Sequence, residues 1–313
     1  MIKKMHIVLV CHTELDFEGT WSLYETIQPR IEELFKRVSD ISGKAIRTTF
    51  CVTLDFLLER LDEAFRLIEQ GHEIGIHSHL PGAHRPRHRY DGPYAFRIDE
   101  NGVVNQDAVS GPLRALALSL GMPNPLTRVS SMFSFHPSTI ATLEQGGFHV
   151  DCSMIPGLKE AQHPACGDFI LCDNSRRKEA YPYRPDAKDP WTEGNASLLE
   201  FPVSGNLGGG DIDGQIAHFR ERLEGRPGAT PHRGPWCHFG QDGEHAPSAQ
   251  GAAVPPEIDV FQSFWHHFEF ADLGWTQGTV RDAEKFLLEC AKHNKVLFST
   301  AAEAAADLEE NGL

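Results

Sequence analysis

What this sequence lacks narrows the field before any motif is read. Its 313 residues contain no apolar run approaching the roughly 18 residues that a membrane-spanning helix needs. Seven cysteines make an odd set with no C-x-x-C pair, so neither a disulfide framework nor a cysteine-rich zinc site is expected, and reduced thiols in the cytoplasm fit best. Positive charge is scarce: 29 Lys+Arg stand against 44 Asp+Glu, and the net charge of -15 repels phosphate backbones and anionic lipid. Nucleic acid and membranes are therefore excluded as expected partners. A basic start and a short apolar run open the chain at Met1, but His12 and Glu14 follow with no small-residue cleavage site, which reads as a buried strand and not a signal peptide. There is also no internal repeat.

What is present is a 40% hydrophobic content, ample for one large core, at a length normal for a single α/β barrel. One domain over residues 1–313 is the expectation. Ile27, Ile31, Leu34, Phe35, Val38 and Ile41 recur at helical spacing, Ser42-Gly43 closes that segment, and a β-type run reaches Val52. The order then repeats: Leu54, Leu57, Leu58, Leu61, Phe65 and Ile68 mark a helix ending at Gly71, and Glu73–Ser78 reads as another buried strand. Such alternation predicts a parallel sheet covered by helices. It lapses over residues 81–127 and again over about 205–256, both rich in Pro, Gly and His, which predicts long irregular loops of the kind that carry function or move. Between and after them come a short helix from Pro137, a strand from Phe148 to Ser153, a strand around Phe261–Trp265, a capped helix from Thr279, strand Val296–Phe298, and a capping box Thr300-Ala-Ala-Glu303 that opens a final Ala-rich helix.

In a parallel barrel, reactive groups sit where strands end and βα loops converge. The residues to weigh there are His12, Glu14 and Asp16 after the first strand, His77 and His79 after the third, Arg128, Asp151, and the pair His266-His267. Residues two apart in a strand face one side, so His77 and His79 can offer two imidazoles to one ion, with a first-strand carboxylate as third ligand. That donor set suits Zn²⁺ first, with Co²⁺, Mn²⁺, Ni²⁺ and Fe²⁺ also compatible. Glu14 and Asp16 share a parity; we assign Asp16 to the metal and Glu14 to the base, with the exchange of these roles left open.

Gly71-His-Glu-Ile-Gly-Ile-His77-Ser-His79 resembles the second motif of the polysaccharide deacetylases of the NodB-homology type. Arg128, His136-Pro-Ser-Thr-Ile, Gly146-Gly-Phe148 and Asp151-Cys-Ser153 are similar to that family's arginine motif, following helix and strand. Tyr181-Pro-Tyr-Arg-Pro185 through Leu199-Glu-Phe-Pro-Val-Ser204 resembles its central stretch, and His266-His-Phe-Glu269 its histidine motif. Each motif is loose, and their order over nearly the whole chain is the specific part. Two departures stand out. His12-Thr-Glu-Leu-Asp16 replaces adjacent aspartates, and Pro81 occupies the position of the second motif's distal histidine, so His79, or more weakly His84, has to substitute.

The resemblance implies a distorted (β/α)7 barrel that hydrolyses an N-acyl group, commonly N-acetyl on an amino sugar, with one divalent ion and a small-molecule or oligosaccharide substrate. It implies that Glu14 takes a proton from water, His266 gives one to the departing amine, Asp151 steers His266, and Arg128 either orients the base or holds a loop carboxylate. A related C–N hydrolase of a small non-sugar amide, or a non-catalytic relative that binds carbohydrate, are the other readings.

Overall fold

The computed structural model describes residues 2–16, 18–79, 105–130, 135–157, 174, 176–177, 179–209, 211–226, 256–271 and 279–313. Buried, β-branched and apolar runs form a parallel sheet of nine strands: β1 (Lys4–Thr13), β2 (Thr48–Val52), β3 (Glu73–Ser78), β4 (Thr127–Ser130), β5 (Val150–Asp151), β6 (Leu199–Glu200), β7 (Val203–Asn206), β8 (Ile258–His266) and β9 (Val296–Phe298). Neighbours run β6-β5-β4-β3-β2-β1-β8-β7. The two ends of that order are one stretch of chain. β6 pairs with β5, β7 pairs with β8, and between them Pro202 has no N–H to offer a ladder. The sheet thus curls into a ring of seven staves, the seventh broken at proline, which is the distorted (β/α)7 barrel expected. β9 lies beside the lower part of β1, at Met5–Ile7, on the side that β2 takes from Leu9 upward.

The helices are α1 (Ser22–Ser42), α2 (Leu54–Glu59), α3 (Leu61–Glu69), α4 (Asn105–Ser119), α5 (Pro137–Gln145), α6 (Ile212–Leu223), α7 (Val280–Ala291) and α8 (Ala301–Glu310). Helix α1 buries Ile27, Ile31, Leu34, Phe35 and Val38 as its spacing predicts, each side chain contributing about 1.5–3 kcal/mol, whereas Ile41 stays exposed. The single helix expected after β2 is two, because Arg60 leaves helical geometry at φ -135° and ψ 34°. Both stretches expected to be irregular contain a helix. Helix α4 forms despite Gly111 and Pro112, and α6 starts on an Asp211 cap directly after the glycine run. None of the helices among the described residues is long and apolar enough to cross a membrane.

Strand parity divides the core in two. Val8, Val10, Cys51, Val129, Val150, Cys152, Leu199, Phe201 and Val260 form a cluster inside the ring, and Ala301, Ala304, Ala305 and Leu308 of α8 close it from below. The larger cluster fills the space between sheet and outer helices. At the floor, half-buried Glu73 accepts from Thr49 Oγ1 (2.9 Å), Thr127 Oγ1 (2.5 Å) and the Ala302 N–H of α8 (3.0 Å). His6 bridges Ser299 Oγ (2.8 Å) and Asp307 Oδ2 (2.7 Å) beside it. The last helix is therefore a plug seated by buried polar contacts, and the opposite, C-terminal end of the ring is left for chemistry.

Candidate metal centre at the barrel mouth

β1 carries His12 inward and delivers Glu14 just past its end, both buried. β3 carries His77 inward. Its chain then bends tightly, the His79 N–H donating to the His77 carbonyl (2.9 Å), and this three-residue turn brings the two imidazoles to 4.6 Å between centroids. The pair therefore meets through a turn and not through strand pleat alone. Glu14 Oε2 lies 3.1 Å from His77 Nε2 and 2.8 Å from His79 Nε2. These three side chains are the cluster able to hold a metal among the described residues.

The protonation pattern shows why a cation fits. His77 Nδ1 faces the Val129 carbonyl at 3.2 Å; a carbonyl only accepts, so this nitrogen carries a proton. When that is the ring's only proton, the Nε2 lone pair faces a carboxylate oxygen, acceptor against acceptor, in a buried setting. A positive charge between them resolves that opposition, and two imidazoles with one carboxylate are a suitable donor set for a divalent transition ion.

His266, at the end of β8, completes the mouth: its Nε2 is 3.8 Å from Glu14 Oε1, and its ring stacks on Phe268 at 4.6 Å. His12 lies beneath, 4.5 Å from the His266 ring and 4.8 Å from His77. Burial, and then the neighbouring His266 and His77, push His12 well below the usual histidine range, so it stays neutral. His267 faces the other way, into the wall between β8 and α1, where its Nε2 meets Gln28 Oε1 at 3.0 Å and burial holds it down to about 3.

Three expected roles change. Asp16 is not in the cluster: its carboxylate accepts from Thr20 N–H (2.8 Å) and Oγ1 (2.5 Å), Ser22 Oγ (2.8 Å) and Glu18 N–H (3.1 Å), shaping the loop that leads to α1. Burial raises its pKa, but those hydrogen bonds outweigh burial and hold it below the usual value. Glu14 is the carboxylate that stands with His77 and His79 in the cluster able to hold an ion. Arg128 and Asp151 also stand away from the mouth. Val129 and Val150 face into the ring, so Arg128 and Asp151 face outward, where the guanidinium pairs with Asp107 of α4 and lies 3.3 Å from Asp151 and from Ser153 Oγ. Of the two roles open to Arg128, it holds carboxylates. Glu200 joins this buried knot, and burial, reinforced by Asp151, pushes its carboxyl well above the normal range. His84 lies outside the described residues.

The residue that sequence reasoning missed is Glu269. It is fully buried, accepts from the His266 backbone N–H (2.9 Å) and from Asn206 Nδ2 (3.0 Å), and places Oε1 3.3 Å from His266 Nδ1. Its signal was available: an acid three residues after a histidine that ends a strand is half of a capping box.

Solved structures share this fold at low sequence identity. The Puue allantoinase superposes with a TM-score of 0.56 over 99% of this chain and 92% of its own, at 15% identity. A protein named a probable polysaccharide deacetylase from Pseudomonas aeruginosa PAO1 gives 0.55 over the same shares, at 13% identity. The 4-alpha-glucanotransferase from Thermococcus litoralis gives 0.52 at 12% identity over 98% of this chain, which spans 40% of that enzyme. No family model and no curated protein matches the sequence. The class defined is a barrel with the fold of the polysaccharide deacetylases. Within that class, solved structures carry the names of enzymes that differ in substrate.

Proposed function

We propose that this chain is a metal-dependent amide hydrolase that cleaves a C–N bond other than a peptide bond, removing an N-acyl group, N-acetyl foremost, from a sugar or sugar-like substrate. The observation that carries the reading is one carboxylate oxygen, Glu14 Oε2, set between the Nε2 atoms of His77 and His79 at the barrel mouth. Glu14, His77 and His79 would hold the ion, Zn²⁺ by donor type, which as a Lewis acid supplies an activated water and a polarised amide carbonyl. Glu14 Oε1 faces His266 and not the ligand histidines, and is the acceptor for the proton of the attacking water. His266 Nε2, on the other side of that oxygen, would take that proton from Glu14 and pass it to the departing nitrogen, which is too basic to leave as an anion. Neutral, buried His12 and the Phe264 ring 5.5 Å from it keep water out from below.

The test combines metal content with turnover. Protein purified without chelator should carry about one divalent ion per chain, release acetate from N-acetylated sugars, and lose that activity to a chelator. Full activity in the His77→Ala, His79→Ala double variant would overturn the reading. Because an allantoinase shares this fold over nearly the whole chain, small cyclic and linear amides belong in the same panel. Turnover confined to them would replace the sugar by a small non-sugar amide while keeping the hydrolase.

A further inference from the structure

His266 sits on a short 3-10 turn, His267–Phe270, and the geometry behind it is more constrained than a surface turn requires. The Glu269 carboxylate is fully buried, and a buried carboxylate costs several kcal/mol unless hydrogen bonds and opposite charge compensate it. Its site is built from three directions. The His266 N–H points at Oε2, and Asn206 Nδ2 points at Oε1. Asn206 is itself fixed, its side-chain oxygen accepting the Gly208 N–H (2.9 Å), its N–H donating to Gln215 Oε1 (3.0 Å), and its carbonyl accepting from Gln215 Nε2 (2.5 Å). Gly208 closes the third side. A Cβ there would collide with both the Cβ and the carboxylate of Glu269, so only glycine leaves the acid its place.

Glu269 also turns one oxygen to the His266 ring. Oε1 is 3.3 Å from Nδ1, within ion-pair distance although off the line of a hydrogen bond. A carboxylate beside one ring nitrogen favours the tautomer with its proton on that nitrogen, and thereby leaves the other as the free acceptor.

We propose that Glu269 is a positioning residue for His266, fixing Nδ1–H towards itself and presenting Nε2 to Glu14, with Asn206 and Gly208 shaping the seat that holds it. The orientation follows from these contacts alone. Its consequence for turnover rests on the hydrolase reading above, and the two are separated by measuring the tautomer directly in metal-free protein.

In metal-free protein with ¹⁵N-labelled histidine, the His266 ring should show the Nδ1–H tautomer, assigned by loss of its signals in His266→Gln. In Glu269→Gln, which keeps the side-chain volume but turns one acceptor oxygen into an N–H donor, the population should move towards Nε2–H. Gly208→Ala should move it in the same direction, since the added methyl displaces the carboxylate without changing a polar group. A wild-type ring that is already Nε2–H, or a tautomer that neither variant moves, overturns the proposal, and a fall in melting temperature with an unmoved tautomer assigns Glu269 a purely structural role. In turnover, Glu269→Gln should lower kcat about 10- to 100-fold with KM and metal content unchanged, and Glu269→Asp should recover part of it. If the wild type hydrolyses no amide, the tautomer result still stands by itself, and only the function assigned to the site falls.

Discussion

The two ends of this barrel use the same kinds of residue to opposite effect. At the floor, Glu73 receives two threonine hydroxyls and a helix N–H, and His6 sits between a serine and an aspartate, so each polar group faces a complementary partner. At the mouth, one oxygen of Glu14 faces two histidine nitrogens, and the His77 ring turns its other nitrogen to the Val129 carbonyl. Complementary pairing makes a seal, while two imidazole nitrogens converging on one carboxylate oxygen make a seat that suits positive charge. The lesson is that composition does not separate structural from functional polar clusters; the balance of donors and acceptors does.

That contrast can be broken at either end. The largest effect belongs to the mouth: replacing His77 and His79 together by Ala should cut hydrolysis by about 10³-fold or more, the several kcal/mol a Lewis acid supplies, while metal-free stability in a urea titration barely moves. The floor should respond the other way. Glu73→Ala leaves a buried N–H and two hydroxyls without their acceptor, so unfolding free energy should fall by about 3 kcal/mol, with kcat per folded molecule unchanged. Thermal melts with added Zn²⁺ sharpen the comparison further: at about 100 times Kd the ion should add roughly 2.7 kcal/mol to the wild type and nothing to Glu14→Ala. An equal gain in both would place the ion elsewhere.

The smallest effect concerns pH and the packed walls. Burial holds His72 down to about 4 and His267 to about 3, against an ordinary value of 6.5. Between those values the unfolded chain binds protons that the folded chain does not, so stability is full above pH 6.5 and falls as pH drops through the window. From pH 6.5 to 5.5 the loss should be about 1 kcal/mol for each histidine. Denaturation midpoints that stay level over that interval would show these rings to be reachable by protons in the folded state.

Much of this was legible in the sequence. Periodicity located β3, α1, β9 and the Thr300 capping box because each is a local pattern with a local cause. The mouth was legible in part. His77, His79 and His266 follow from standing at strand ends, but parity cannot choose between Glu14 and Asp16. The strand ends at Thr13, and the turn beyond it bends Asp16 back onto Thr20 and Ser22. Asp151 as the partner of His266, and the reading of Arg128 that set it beside the base, were misplaced for a different reason. Both stand near strand ends, yet the inward side is set by Val129 and Val150, and only the register between strands reveals which neighbour faces in. Asp107, which binds Arg128, lies in a helix carrying Gly111 and Pro112, residues that local propensity counts against a helix.

The position of β1 has a consequence for how the molecule is made. It pairs Lys4 with Ile258 and Met5 with Val296, while only its upper half meets the nearby β2. The strand that delivers Glu14 therefore keeps one edge bare until β8 has been synthesised, and neither the seam nor the plug can form earlier. Long-range pairing of this kind makes folding slow, and an apolar edge strand invites pairing with other chains in the meantime. A chain halted before Ile258 would expose that edge and become a client for chaperones, so shielding β1 during synthesis is part of what this architecture asks of the cell.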